Sequence, residues 1–161
     1  MRLSSALVLA QILLLEQKYQ AYADLAVDTI GPLLIRLEKS RPSGAGQEFF
    51  DLEWVNDLAS MLSLLPLCAP EFLAKLPDAQ IRAMAGRWKS LREKATTDQA
   101  RYQIDLILAA AYKRLGRDKE YRETAERLQS TNATAQRFLS STDISEAVKS
   151  LRRDWIPQWA R

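Results

Sequence analysis

Residues 98–129 read DQARYQIDLILAAAYKRLGRDKEYRETAERLQ, and this stretch decides the fold. Thr96-Thr97-Asp98 stops one helix and caps the next, which is predicted over Gln99–Leu115. Gly116 ends that helix, and another is expected from Arg117 to about Gln129. Ala, Leu, Arg, Glu and Gln dominate here and throughout the chain. These residues lose little side-chain freedom in a helix, so the local preference is helical nearly everywhere. No stretch alternates apolar and β-branched residues with polar ones for long enough to form a strand. The predicted class is all-α.

Working outward toward the N-terminus, Asp78 is the expected N-cap of a helix running to about Ala95. Pro66, Pro70 and Pro77 break the preceding connection, residues 66–77, into short pieces with a helical turn or two at Glu71–Leu76. Before it, Phe50, Trp54, Leu58, Met61 and Leu65 fall at spacings of three and four, on one face of a helix over Gln47–Leu65. The Ser, Pro and Gly content of Ser40–Gly46 marks a loop, placed at residues 39–46. A helix over Tyr19–Glu38 should kink at Gly31-Pro32. The first helix, Leu3–Glu16, is apolar on several sides and should be covered by neighbours. Toward the C-terminus, short helices are expected over Thr131–Ser140 and Asp143–Arg153. The tail 154–161 cannot continue as a helix through Pro157. Trp155, Ile156 and Trp159 should therefore fold back and cap the core. The 161 residues, 47% of them apolar and 27% charged, fit a single helical domain over 1–161.

Within the deciding stretch, Ala109-Ala110-Ala111-Tyr112-Lys113-Arg114-Leu115-Gly116-Arg117, followed by Tyr121 and Ala125, resembles a tetratricopeptide repeat. Leu9-Ala10 through Gln17-Lys18-Tyr19, then Tyr22 and Ala26, resembles a second copy. Ala10, Tyr22 and Ala26 pair with Ala109, Tyr121 and Ala125 at one constant offset, which is not a multiple of the family's repeat length of about 34 residues. Tyr22 and Tyr121 stand where the family has a small residue, and Ala26 and Ala125 where it has an aromatic one. The resemblance implies an antiparallel helix-hairpin array; an irregular helical bundle is the alternative.

The chain has no histidine. That removes the commonest general base near neutral pH and the commonest metal ligand. The lone Cys68 sits in an apolar setting and reads as a small buried thiol. Asp24/Asp28 and Glu120/Glu123 share helix faces but have no partner ligand, and they read as solvated surface. Ser43-Gly44-Ala45-Gly46 lacks the Lys-Ser/Thr ending of a phosphate loop. No catalytic residue, cofactor or metal is expected, and the chain reads as a non-catalytic protein–protein interaction or scaffold module.

Charge is uneven: residues 1–80 hold 6 Lys and Arg against 10 Asp and Glu, and residues 81–161 hold 17 against 10. The candidate partner-binding residues are Arg87, Trp88, Lys89, Lys113 and Arg117, because Trp and Arg are enriched at binding hot spots; for Trp88 the commoner reading is a helix-packing residue covered by neighbouring stems. The expected partner is another protein. A regulatory or nucleic-acid-associated domain using the basic second half is the alternative, although interleaved Glu93, Asp118, Glu120, Glu123 and Glu126 can pair with those cations locally. The apolar run Ser4–Leu15 is too short to span a bilayer, so no transmembrane segment is predicted. No small-x-small cleavage site precedes Glu16, so a cytoplasmic location is expected, with secretion as the alternative if residues 1–15 form a signal.

Overall fold

The computed structural model describes residues 3–39, 63–96 and 98–131. Its elements are α1 (Leu3–Leu15), α2 (Tyr19–Leu25), a π-helical turn (Ala26–Ile30), α3 (Gly31–Lys39), a 3₁₀ turn (Leu65–Cys68), α4 (Pro70–Leu73), α5 (Asp78–Lys94), α6 (Asp98–Arg114) and α7 (Asp118–Thr131). The described residues are all-α. The expected Gln47–Leu65 helix lies outside them up to residue 62, as do residues 40–46 of the loop, both C-terminal helices beyond Thr131 and the tail 154–161.

The deciding stretch folds as a helix, a turn and a helix. Gly116 has φ +67, the left-handed conformation that only glycine adopts without steric cost. Its amide donates to the Lys113 carbonyl at 3.2 Å, and the Arg117 amide donates to the Tyr112 carbonyl at 2.9 Å. This double bond is a Schellman ending, which satisfies carbonyls that the helix would otherwise leave open. The Arg117 guanidinium stacks 5.2 Å from the Tyr112 ring centre, where such endings usually carry an apolar contact. The α1–α2 turn has the same pattern about Gln17, with Gln17 and Lys18 amides bonded to Leu14 and Leu13 carbonyls at 3.1 and 2.8 Å. A Schellman ending closes helices of many folds, so the shared pattern by itself says nothing of a repeat.

The prolines act as helix starters. Pro70 occupies the first turn of α4, and Pro66 that of the 3₁₀ turn, positions where a missing amide costs nothing. Pro77 is extended and is itself the residue before α5, so Asp78 is the first helical residue and not the N-cap. Its carboxylate still opposes the helix dipole favourably, and it pairs with Arg114 at 3.2 Å.

Gly31-Pro32 does not break the second helix. The strain is taken up one turn earlier, where the Gly31 amide bonds the Ala26 carbonyl. That is a bond across five residues, and the wide turn accommodates a proline that brings no amide of its own. Gly31 has ordinary helical φ −57, and its role is close approach. A Cβ there would lie 2.5 Å from Leu91 Cδ2 and 2.9 Å from Trp88 Cζ3.

α6 packs along both α5 and α7. Arg114–Asp78 joins the end of α6 to the start of α5, while Arg92 at the end of α5 reaches Asp105 in the first half of α6. These two helices therefore run in opposite directions. The core is continuous from α1 to α7: Ala6, Ala10, Tyr22, Ile30, Leu67, Phe72, Ile81, Met84, Trp88, Ile107 and Leu128 are all buried, as are Ala109, Ala110 and Ala111. Phe72 meets Tyr19 and Tyr22 edge-on, with ring centres 5.7 and 5.3 Å apart. The Tyr22 hydroxyl donates to the Ser63 carbonyl, so a fully buried tyrosine keeps its polar end satisfied.

Two glycines in helices should respond oppositely to alanine. Gly86 has nothing within 4 Å of where a Cβ would sit, so Gly86→Ala should gain roughly 0.5–1 kcal/mol of helix preference and raise the thermal midpoint by a few degrees. Gly31→Ala gains the same preference but overpacks against the rigid Trp88 ring, at about 1–3 kcal/mol, and should lower the midpoint. Calorimetry of the two variants checks the pair.

Candidate interaction surface

The five residues expected to face a partner do not form one patch. Trp88 is 1% exposed; its indole is core, packed beside Gly31, and is not on the surface that carries Lys89. Arg87 is held by the first half of the chain, with Nη2 2.5 Å from Asp24 Oδ1 and Nη1 2.7 Å from Asp28 Oδ2. Lys113 lies 6.0 Å from the centre of the Tyr121 ring, within cation–π range. Arg117 pairs with Glu120, its Nε 2.9 Å from Oε1, and this contact contributes to holding the Glu120 carboxyl below its usual range, after the backbone bond at the helix start. Lys89 is exposed and, among the described residues, has no ion-pair or ring partner. The Arg114–Asp78 pair places Lys113 and Arg117 toward the start of α5, and the helical rise puts Arg87 about 13 Å from there. Arg87, Arg114 and Arg117 of the basic half are thus paired with carboxylates, among them Asp24 and Asp28, which stay about half exposed as their reading as surface residues implies.

Among the described residues, one ionic cluster is internal. The Asp105 carboxylate, 2% exposed, accepts from Arg92 Nε at 2.7 Å and from Arg127 Nη2 at 3.3 Å. Arg127 Nη2 also donates to Thr124 Oγ1 at 2.9 Å, and that hydroxyl donates to the Glu120 carbonyl at 2.7 Å. The cluster ties α5, α6 and α7 together. Its two arginines stay partly in water, which lowers the desolvation cost of the arrangement.

Between α2 and α5 lies a cleft of about 60 Å³, lined by Gln20, Asp24, Gln80, Met84 and Arg87 among others. That is room for about two water molecules, far below the few hundred Å³ of a ligand pocket. Gln80 Nε2 spans it to Gln20 Oε1 at 2.5 Å. Among the described residues, no group of three or more acidic or cysteine side chains is placed to hold a metal ion.

Among the described residues, the surface that departs most from an ordinary soluble exterior is on α1. Ala6 and Ala10 are buried against α2 and the π turn, whereas Val8, Ile12 and Leu15 are 57%, 44% and 83% exposed. Spaced by four and three, they form one outward row. No residue from Leu3 to Leu15 is charged. The expectation that neighbours cover this helix holds for one face only. The sequence signal was present, since α1 is apolar nearly all round, but which face stays open depends on packing. No described helix is long and apolar enough to cross a membrane.

Cys68 is buried, and burial pushes its thiol up to about 12; Tyr102 is likewise raised to about 12. A raised pKa in the folded state favours the protonated form, so this stabilisation is complete below the unfolded values and is lost as pH rises through about 9 to 12. The thiolate is the reactive form. The native chain at pH 8 should therefore react with a thiol reagent orders of magnitude more slowly than the unfolded chain, and rapid stoichiometric labelling of the native chain would contradict this placement.

Removing Arg92 leaves a buried carboxylate short of its nearest cation. Arg92→Ala should destabilise by on the order of 3 kcal/mol, and Arg87→Ala, whose partners are half exposed, by less than about 1 kcal/mol. Denaturant titration of both variants measures the difference. Arg87→Glu is a different case, because it would set a third carboxylate beside Asp24 and Asp28; Lys89→Glu is the neutral probe of the surface.

Comparison of the chain with protein-family models, with curated proteins and with solved structures finds no match.

Proposed function

We propose that the chain is a non-catalytic protein–protein interaction or scaffold module, and that α1 carries its partner-facing surface. The supporting observation is the row Val8, Ile12 and Leu15, exposed on a helix without charge. Apolar side chains at spacings of three and four, on a helix whose other face is anchored in a core, suit helix-in-groove recognition. Burying them on a partner gains roughly 25 cal/mol per Å² of apolar area, with no charge to desolvate. A partner held in this way stays bound at high salt.

The regulatory or nucleic-acid-associated alternative draws on the basic second half. There Arg87, Arg92, Arg114, Arg117 and Arg127 each already face a carboxylate. A phosphate backbone would have to compete with those pairs, and its binding would fall steeply with salt.

Affinity capture from the cells that make the protein separates the two. A partner retained in high salt, lost with Ile12→Glu and kept with Lys89→Glu, supports the α1 surface. A partner released by salt and by Lys89→Glu, but indifferent to Ile12→Glu, would transfer the function to the charged surface.

A further inference from the structure

Two guanidinium groups share one carboxylate where α5, α6 and α7 meet. Arg92 Nε and Arg127 Nη2 bond the same Asp105 oxygen, at 2.7 and 3.3 Å, so the two nitrogens lie within about 6 Å of each other. Two cations against one carboxylate leave one positive charge over among these three groups. The Asp105 side chain is 2% exposed, whereas those of Arg92 and Arg127 are 27% and 39% exposed. An anion arriving from solvent therefore meets the guanidinium groups first, with the carboxylate behind them. Arg92 spends only Nε on Asp105, and among the described residues its Nη1 and Nη2 carry no hydrogen bond. Those two nitrogens form a planar fork that matches an oxyanion edge. Arg127 Nη2 is fixed a second time by the buried Thr124 hydroxyl at 2.9 Å. Both cations are thus ordered in advance, and closing on a ligand costs little further side-chain entropy.

We propose that Arg92 and Arg127, oriented by Asp105, form a receptor for a phosphate monoester. Such a group has three acceptor oxygens and a charge of roughly −2, enough to take the Arg92 fork and Arg127 together. A nucleic-acid backbone carries a single charge on each phosphate and suits the pair less well. The monoester adds to the Arg92–Asp105 bond instead of competing with it, because it uses the nitrogens that Asp105 leaves open. Asp105 is a positioning residue and touches no ligand. The receptor exists only while α5, α6 and α7 are packed, so an occupant also favours the folded state. No residue of α1 takes part.

The test is arginine side-chain NMR of the full chain, titrated with inorganic phosphate at about pH 7.5, where the dianion prevails. The Nε–H signals of Arg92 and Arg127 should shift saturably with one shared midpoint, on the order of millimolar. The signal of Arg114, paired with Asp78 elsewhere, should stay near its sodium chloride baseline at equal ionic strength. Shifts that chloride reproduces, or that all arginines share evenly, would overturn the receptor. Arg92→Lys keeps a cation for Asp105 but has no fork, so phosphate affinity should fall roughly tenfold; affinity equal to that of the parent chain would overturn the receptor as well. Should that variant melt early, Arg127→Lys, at the longer of the two bonds, replaces it with the same expectation. A short phosphoserine peptide flanked by glycines separates the two sources of such a group. Affinity roughly tenfold or more above inorganic phosphate supports the receptor and assigns it to a phosphorylated segment of a partner. Affinity equal to inorganic phosphate supports it and assigns it to a free small phosphate ester. Equal binding of the same peptide without its phosphate would overturn it.

Discussion

The Asp105 carboxylate is the constraint on which the second half of the molecule depends. A charge with 2% exposure cannot be left without cations. Arg92 must therefore come from α5 and Arg127 from α7, and neither helix can slide along α6 without losing its bond. Close packing at a small side chain such as Ala109 lets two helices approach without by itself fixing how far one is displaced along the other. The ionic triad removes that freedom. It sets register more than it adds stability, the use best attested for buried charges elsewhere.

A second, steric constraint joins the first half to this frame. The absence of a side chain at Gly31 lets the helix that follows the π turn approach the Trp88 indole, and the Arg87 guanidinium, one residue along α5, spans to Asp24 and Asp28. Trp88 buries roughly 150–250 Å², and that contact is the heavier of the two. The forked arginine, half in water, adds direction to it more than energy.

The parts of this architecture that were legible in the sequence are those set by local chemistry. Gly116 between two helical runs, the prolines of 66–77 and the helical composition act within a few residues, and the turn, the short elements and the all-α class followed from them. Asp78 shows the limit of that reading: it neighbours the helix start as expected, but Pro77, fixed in φ and extended, takes the capping position. For Trp88 the flanking Arg87 and Lys89 suggested a partner anchor beside the commoner reading as a helix-packing residue; it packs in the core, beside Gly31, which is far away in sequence. The pairing of Arg87 with Asp24 and Asp28 is equally remote. The tetratricopeptide-like reading rested on Ala109, Tyr112 and Gly116, residues that also serve any close pair of helices with a tight turn between them.

The two Schellman endings are built from different residues, and this has a mechanical consequence. Gly116 takes the left-handed conformation freely, whereas Gln17, at φ +57, holds it against a steric penalty of roughly 1–2 kcal/mol. That penalty is relieved as soon as α1 lets go of α2. α1 also lacks acidic residues in its first turn and basic ones in its last, so no side chain within those turns offsets its dipole. Among the described helices, α1 is therefore the one expected to open first. Amides of α1 are expected to exchange with solvent sooner than those around Asp105, on the helix that also carries the exposed row Val8, Ile12 and Leu15.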